Sequence, residues 1–129
     1  MPNIQQHIGQ YHKNKGLLSE PLFLITDECR YLDWVTTVIF YTALHLIHSH
    51  LASEPLFARE QSRDSHYKVN NLVLTLSKFR NVSAEYNTLY MESRKARYGC
   101  IPFRARKVQQ LFDTLRLIEQ GIPVPQQTA

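Results

Sequence analysis

The chain has 129 residues, of which 43% are hydrophobic and 20% charged, with six prolines, four glycines and a net charge of +4. This length is typical of one domain with its own core, and the composition excludes a disordered chain, a collagen-like chain and a glycine-rich phosphate loop. No apolar run reaches the roughly 18 residues of a membrane span, and residues 1–15 lack the apolar core of a secretion signal, so we expect a cytoplasmic protein with no membrane partner.

Helical periodicity runs through the whole chain. Glycine and proline are sparse and no Asn-Gly or Asp-Gly hairpin turn occurs, whereas apolar residues recur at steps of three and four, the period of an amphipathic helix. We expect Ser65 and Ser83 to be helix N-caps, Gly121 to be a C-cap, and the first helix to break near Gly16 or Pro21. The pattern predicts five helices, over residues 3–24, 31–53, 65–80, 83–99 and 104–120.

The predicted fold is all-α, an up-and-down four-helix bundle plus a fifth helix. Residues 1–123 form one domain in this prediction, residues 124–129 form a flexible tail, and residues 54–64 form the longest loop. The helix over 31–53 is apolar around most of its circumference, more than one neighbouring helix can cover. We therefore predict a homodimer built mainly through this helix.

Three histidines, His45, His48 and His50, and two cysteines are the candidate metal ligands, with His50 on a different helix face from the other two. His45 and His48 lie one turn apart, and Tyr41 precedes His45 by four residues, so these three share a helix face. The HxxH pair alone is a weak metal signal, and Cys29 and Cys100 have neither CxxC nor zinc spacing. We predict no metal and no cofactor, reduced cysteines, and hydrogen-bonded Tyr41 and His45 in the bundle.

The basic character of the chain belongs to one segment. Between residues 93 and 112 there are six bases and no acid, which exceeds the net charge of the whole chain. A concentrated field of this kind favours an anionic partner. The six are Arg94, Lys95, Arg97, Arg104, Arg106 and Lys107.

Within that segment, one helix brings arginines and tyrosines together. Arginine binds phosphate through paired hydrogen bonds, and a tyrosine ring can stack on a base, so the pattern indicates an RNA or nucleotide site. The alternative is structural, with the tyrosines in the core and the arginines in salt bridges to Glu20, Asp27, Glu28 or Asp33. The predicted ligand-binding residues are Tyr90, Arg94, Arg97 and Tyr98, with Arg104 and Lys107 as further phosphate contacts.

Residues 31–100 resemble the HEPN domain family. The resemblance is carried by Trp34 with FYTALH over 40–45 on an early helix, His66 opening the third helix, and Tyr86 to Tyr98 with SRKARY on the fourth. The family consists of small all-α bundles, often homodimers, that include RNA-cleaving toxins, partners of minimal nucleotidyltransferases and noncatalytic relatives. The resemblance implies the same fold and a homodimer.

The sequence departs from the catalytic members of that family. Those members carry an arginine and a histidine with four to six residues between them, and the SRKARY segment contains no histidine. The one match to that spacing, Arg59 to His66, is expected by chance in a chain of this composition. We therefore predict a noncatalytic module that binds RNA or a nucleotide.

Two other functions remain open from the sequence. One is a metal-independent ribonuclease of toxin type, with His66 or His45 as the base and Arg94 or Arg97 stabilising charge on the phosphate. The other is a protein-interaction subunit of a toxin–antitoxin-like pair, with a small protein partner.

Overall fold

The computed structural model describes residues 3–52 and 65–125 and contains five α-helices there. Short 3₁₀ turns occur at Pro21–Phe23 and Ser77–Phe79, and these two described ranges contain no strand. The all-α prediction is confirmed, while the predicted loop over 54–64 and the tail residues 126–129 lie outside the described residues. The helices are α1 (Ile4–Leu17), α2 (Leu32–Leu51), α3 (Ser65–Thr75), α4 (Ser83–Tyr98) and α5 (Ala105–Gly121).

Four of the helices alternate in direction, as an up-and-down bundle requires. His7 near the start of α1 contacts His45 near the end of α2, and Arg97 at the end of α4 bonds to Tyr41 in the first half of α2. The end of α5 packs on Val82, the residue before α4. The short α3 packs on α4 and is the additional helix of the bundle.

Helix α2 is the centre of the core. It contacts α1, α4 and α5, and seven of its apolar side chains are fully buried, namely Val35, Ile39, Phe40, Ala43, Leu46, Ile47 and Leu51. The apolar circumference that motivated the homodimer is therefore covered by three helices of the same chain. The homodimer through α2 stays a prediction.

The helix ends differ from those the sequence predicts. α1 ends at Leu17 and a 3₁₀ turn begins at Pro21, which places the break where it was expected. α3 ends at Thr75, because the following 3₁₀ turn carries Phe79 into the core, where it is fully buried.

Neither predicted serine N-cap is an N-cap. Ser65 is itself helical in α3, and Ser83 is the first helical residue of α4. Val82 occupies the N-cap position of α4 without a side-chain bond, and the Ser83 hydroxyl donates to the Arg80 carbonyl at 3.5 Å. Three residues join the 3₁₀ turn to α4, and the Val82 N–H donates to the Phe79 carbonyl of that turn at 3.0 Å.

Gly121 is the last residue of α5, and close packing explains why glycine stands there. It lacks the positive φ of a C-cap glycine, but a Cβ on it would lie 2.5 Å from Cγ1 of the buried Val82 and 2.9 Å from Nδ2 of Asn81. The predicted role as a C-cap is therefore wrong, because Gly121 lies within α5 and has no left-handed backbone conformation.

We expect Gly121→Ala to destabilise the protein by about 1–3 kcal/mol, because a β-branched, buried valine must shift to admit the methyl group. Gly16→Ala is the matched control, since nothing lies within 4 Å of a Cβ at Gly16 on α1. There the better helix propensity of alanine should stabilise the protein by about 0.5–1 kcal/mol. Urea denaturation of both variants measures the difference, and equal unfolding midpoints would contradict the packing argument.

Candidate functional site

A cleft opens between the first half of α2 and the end of α4. It has a volume of about 400 Å³, and two large aromatic side chains at it are mostly exposed, Trp34 at 59% and Tyr98 at 72%. We call it the Arg97 cleft. Its lining residues are Asp33, Trp34, Thr37, Tyr41, Ala96, Arg97 and Tyr98.

The half-buried Arg97 guanidinium is held in place by neutral groups. Its Nη1 donates to the Tyr41 hydroxyl at 3.0 Å, its Nε to the Ser93 carbonyl at 3.3 Å and its Nη2 to the Ser93 hydroxyl at 3.3 Å. The group also lies 5.2–5.8 Å from the ring centroids of Tyr98, Tyr41 and Phe40. A guanidinium has five N–H donors, so two remain for an anion, and no carboxylate in residues 3–52 or 65–125 forms an ion pair with it.

Arg94 lies one turn earlier on α4 and is fully exposed. Its Nη1 donates to the Tyr90 hydroxyl at 3.2 Å, a bond that raises the pKa of Arg94, and its guanidinium lies 5.9 Å from the Tyr90 ring centroid. The alternative of salt bridges from these arginines to the acids of segment 20–33 is not found among the described residues. Both arginines instead donate hydrogen bonds to tyrosine hydroxyls, Arg94 to Tyr90 and Arg97 to Tyr41.

The other predicted phosphate contacts lie apart from the Arg97 cleft. Lys107 on α5 and Lys95 on α4 both pair with Oε1 of Glu92, at 3.3 and 3.2 Å. Glu92 stands just before the acid-free segment, so two of the six bases share one carboxylate, whose single charge compensates one of them. Arg104 is exposed just before α5 and does not line the cleft. The structure thus places Arg97 and Tyr98 in the cleft, Tyr90 and Arg94 in contact with each other on the same helix outside its lining, and Arg104 and Lys107 elsewhere.

The histidines form a second cluster, between α1 and α2. His7, which belongs to no motif of the sequence, lies with its Nδ1 3.2 Å from Nδ1 of His45, and its ring stacks on that of His48 at 4.7 Å. Burial lowers the pKa of His7, and burial together with the charge of His7 lowers that of His45. The cluster therefore favours neutral imidazoles and joins the two helices. His66 lies in α3, but its side chain is outside the described residues.

The described ranges hold no group of three histidine, cysteine, aspartate or glutamate side chains placed to bind a metal ion. The rings of His7 and His48 are parallel within 8°, so their edges do not converge on one point. Cys29 and Cys100 are both free thiols. They line a second cleft of about 390 Å³ at the end of the bundle where α2 begins, and it shares Asp33 and Ala96 with the Arg97 cleft.

Comparison of the chain with protein-family models, with curated proteins and with solved structures finds no match. The resemblance to HEPN domains therefore stays a prediction from the residues that carry it. Within residues 3–52 and 65–125, no helix combines the length and the apolar character that crossing a membrane requires.

Proposed function

We propose that this chain is a noncatalytic module that binds RNA or a nucleotide in the Arg97 cleft. The observation that supports this most is a half-buried guanidinium with two uncommitted N–H donors and no carboxylate partner among the described residues. A charge removed from water is costly unless it is paired. A phosphate group would accept paired hydrogen bonds from Arg97 and pair with its charge.

The aromatic residues around Arg97 suit the rest of such a ligand. Trp34 and Tyr98 are large, exposed rings at the same cleft, and stacking of bases on aromatic side chains contributes about 1–3 kcal/mol per base. Arg94, one turn away and fully exposed, would contact a neighbouring phosphate. This arrangement of cations and rings favours a flexible single strand or a free nucleotide over a rigid duplex.

The test is the affinity of a fluorescent single-stranded RNA for Arg97→Ala, measured by anisotropy. We expect the affinity to fall about tenfold or more, since a charge-assisted hydrogen bond contributes about 1.5–3 kcal/mol. Arg104→Ala is the matched control, because it removes the same charge outside the cleft. Circular dichroism establishes that both variants fold.

Salt provides an independent check. Binding of the unaltered protein should weaken steeply between about 50 and 200 mM salt, because each neutralised phosphate releases counterions. Unchanged RNA affinity in a folded Arg97→Ala variant would refute the proposal. An RNA affinity of the unaltered protein that stays constant over this range of salt concentration would also refute it.

A ribonuclease is the second candidate, and one observation favours it. His45 follows Tyr41 by one turn of α2, and its lowered pKa makes it a neutral base near pH 7. Its Nδ1, however, faces His7, which is why we rank binding first. Cleavage of the RNA probe in EDTA that is lost in His45→Ala would reverse this ranking. The interaction subunit and the homodimer stay predictions.

A further inference from the structure

We infer that the Arg97 cleft recognises guanine among the bases; this inference rests on the proposed function, since it needs a nucleotide in that cleft. The observation behind it is Asp33, the one acidic residue among those that line the cleft. It stands next to the exposed Trp34 ring, in a cleft whose cation is Arg97. The cleft therefore combines a cation that can bind phosphate (Arg97), a ring on which a base can stack (Trp34) and a strong hydrogen-bond acceptor (Asp33).

Guanine is the base whose donor edge matches a carboxylate. Its Watson–Crick edge carries two adjacent donors, N1–H and the N2 amino group, and a carboxylate has two adjacent oxygens that accept both. Adenine and cytosine place a ring-nitrogen acceptor beside their amino group, so a carboxylate would meet a lone pair there. Uracil has one N–H between two carbonyl oxygens, which a carboxylate also repels.

The local structure fixes the Asp33 carboxylate and leaves it accessible. Asp33 is exposed in the first turn of α2, and its Oδ1 accepts the backbone N–H of Trp34 at 2.9 Å. No lysine or arginine in the described ranges pairs with it. Since an ionised carboxylate has about four acceptor positions, this one bond leaves capacity for both guanine donors.

The sole tryptophan of the chain gives a direct signal for the test, because Trp34 lines the cleft itself. We would titrate the full chain with GMP, AMP, CMP and UMP and follow the quenching of tryptophan fluorescence. We expect GMP to bind about tenfold more tightly than the other three, the scale of discrimination from one good bidentate base contact.

Two variants separate the role of Asp33 from that of the cleft. Asp33→Asn presents one donor and one acceptor, so it should lose the preference for GMP. Asp113→Asn is the matched control, an exposed acid on α5 that bonds to Gln109 and does not line the cleft, and it should keep the preference. Arg97→Ala should weaken all four nucleotides alike and keep their order.

The outcomes distinguish the two proposals. Equal binding of the four nucleotides, or a guanine preference that survives in a folded Asp33→Asn, would overturn the inference and leave the proposed function standing. Absence of binding by any nucleotide and by RNA would overturn both. Single-stranded RNAs with one central guanosine or adenosine supply the second arm. A preference for guanine, with the mononucleotides or with the RNAs, supports the inference. The ligand with the higher affinity shows whether the cleft takes a free nucleotide or a base within RNA.

Discussion

Replacing Phe40 by alanine is expected to lower the free energy of unfolding by about 3–5 kcal/mol. Phe40 is fully buried where α2 meets α4, and its ring centroid lies 5.7 Å from those of Tyr86 and Tyr90. The alanine variant leaves a cavity that two helices fixed by their other contacts cannot close. Urea denaturation measures the loss, and Phe112→Ala, at a half-buried position on α5, should lose less.

The same substitution reaches the Arg97 cleft, because the Phe40 ring lies beneath the Arg97 guanidinium at 5.8 Å. Phe40→Leu keeps most of the volume and should cost less than about 1.5 kcal/mol. It removes the ring face, so RNA affinity should fall modestly while the fold is kept. A loss below about 1 kcal/mol in Phe40→Ala would show that the site collapses around the missing ring and would contradict the prediction.

The sequence predicted the helices well because their signal is local. The apolar stripe through Val108, Leu111, Leu115 and Ile118 on α5 is fully visible as a period of three and four, and all four residues are buried. The helix ends were harder, because tertiary demands set them. Nothing local shows that the chain must turn after α3 so that a buried phenylalanine can reach the core.

The α4 side of the candidate site was predictable for the same reason. Tyr90, Arg94, Arg97 and Tyr98 lie on one helix, so spacing alone brings them together. The opposite wall comes from α2, and Tyr41 shows why it was missed. The sequence placed it with the histidines on its own helix, whereas its hydroxyl accepts a hydrogen bond from α4. Which helix faces which is a property of the whole core.

The charge pattern of the sequence overestimated the basic field, because a count of charges within one segment omits an acid that lies outside the segment but close to it in the fold. Glu92 precedes the basic segment by one residue, yet it pairs with a lysine on its own helix and with one on α5. The bases that have no ion pair in the described ranges are therefore fewer than the six bases of the segment. Of its bases, Arg94 and Arg97 have no ion pair in the described ranges and also lie beside aromatic rings.

The histidine cluster predicts that the protein loses stability as the pH falls from about 7.5 to about 5.5. The pKa values of His7 and His45 are lowered in the folded state, whereas an unfolded histidine titrates near about 6.5. Below that value the unfolded chain binds more protons than the folded one, so acid favours unfolding. No carboxylate among the described residues pairs with these imidazoles to offset the effect.

His7→Asn separates this effect from general acid sensitivity. It removes one titrating ring and the charge that helps to lower the pKa of His45. The variant should therefore be less stable at about pH 7.5 but lose less stability on acidification. His12→Asn is the control, because His12 lies on the exposed side of the same helix and should leave the pH dependence unchanged. Thermal unfolding at a series of pH values measures all three proteins. Parallel pH profiles for His7→Asn and the unaltered protein would mean that the imidazoles accept protons in the folded state as readily as in water. The stacked rings of His7 and His48 would then have to separate without weakening the contact between α1 and α2. The buried His7 helps to form that contact.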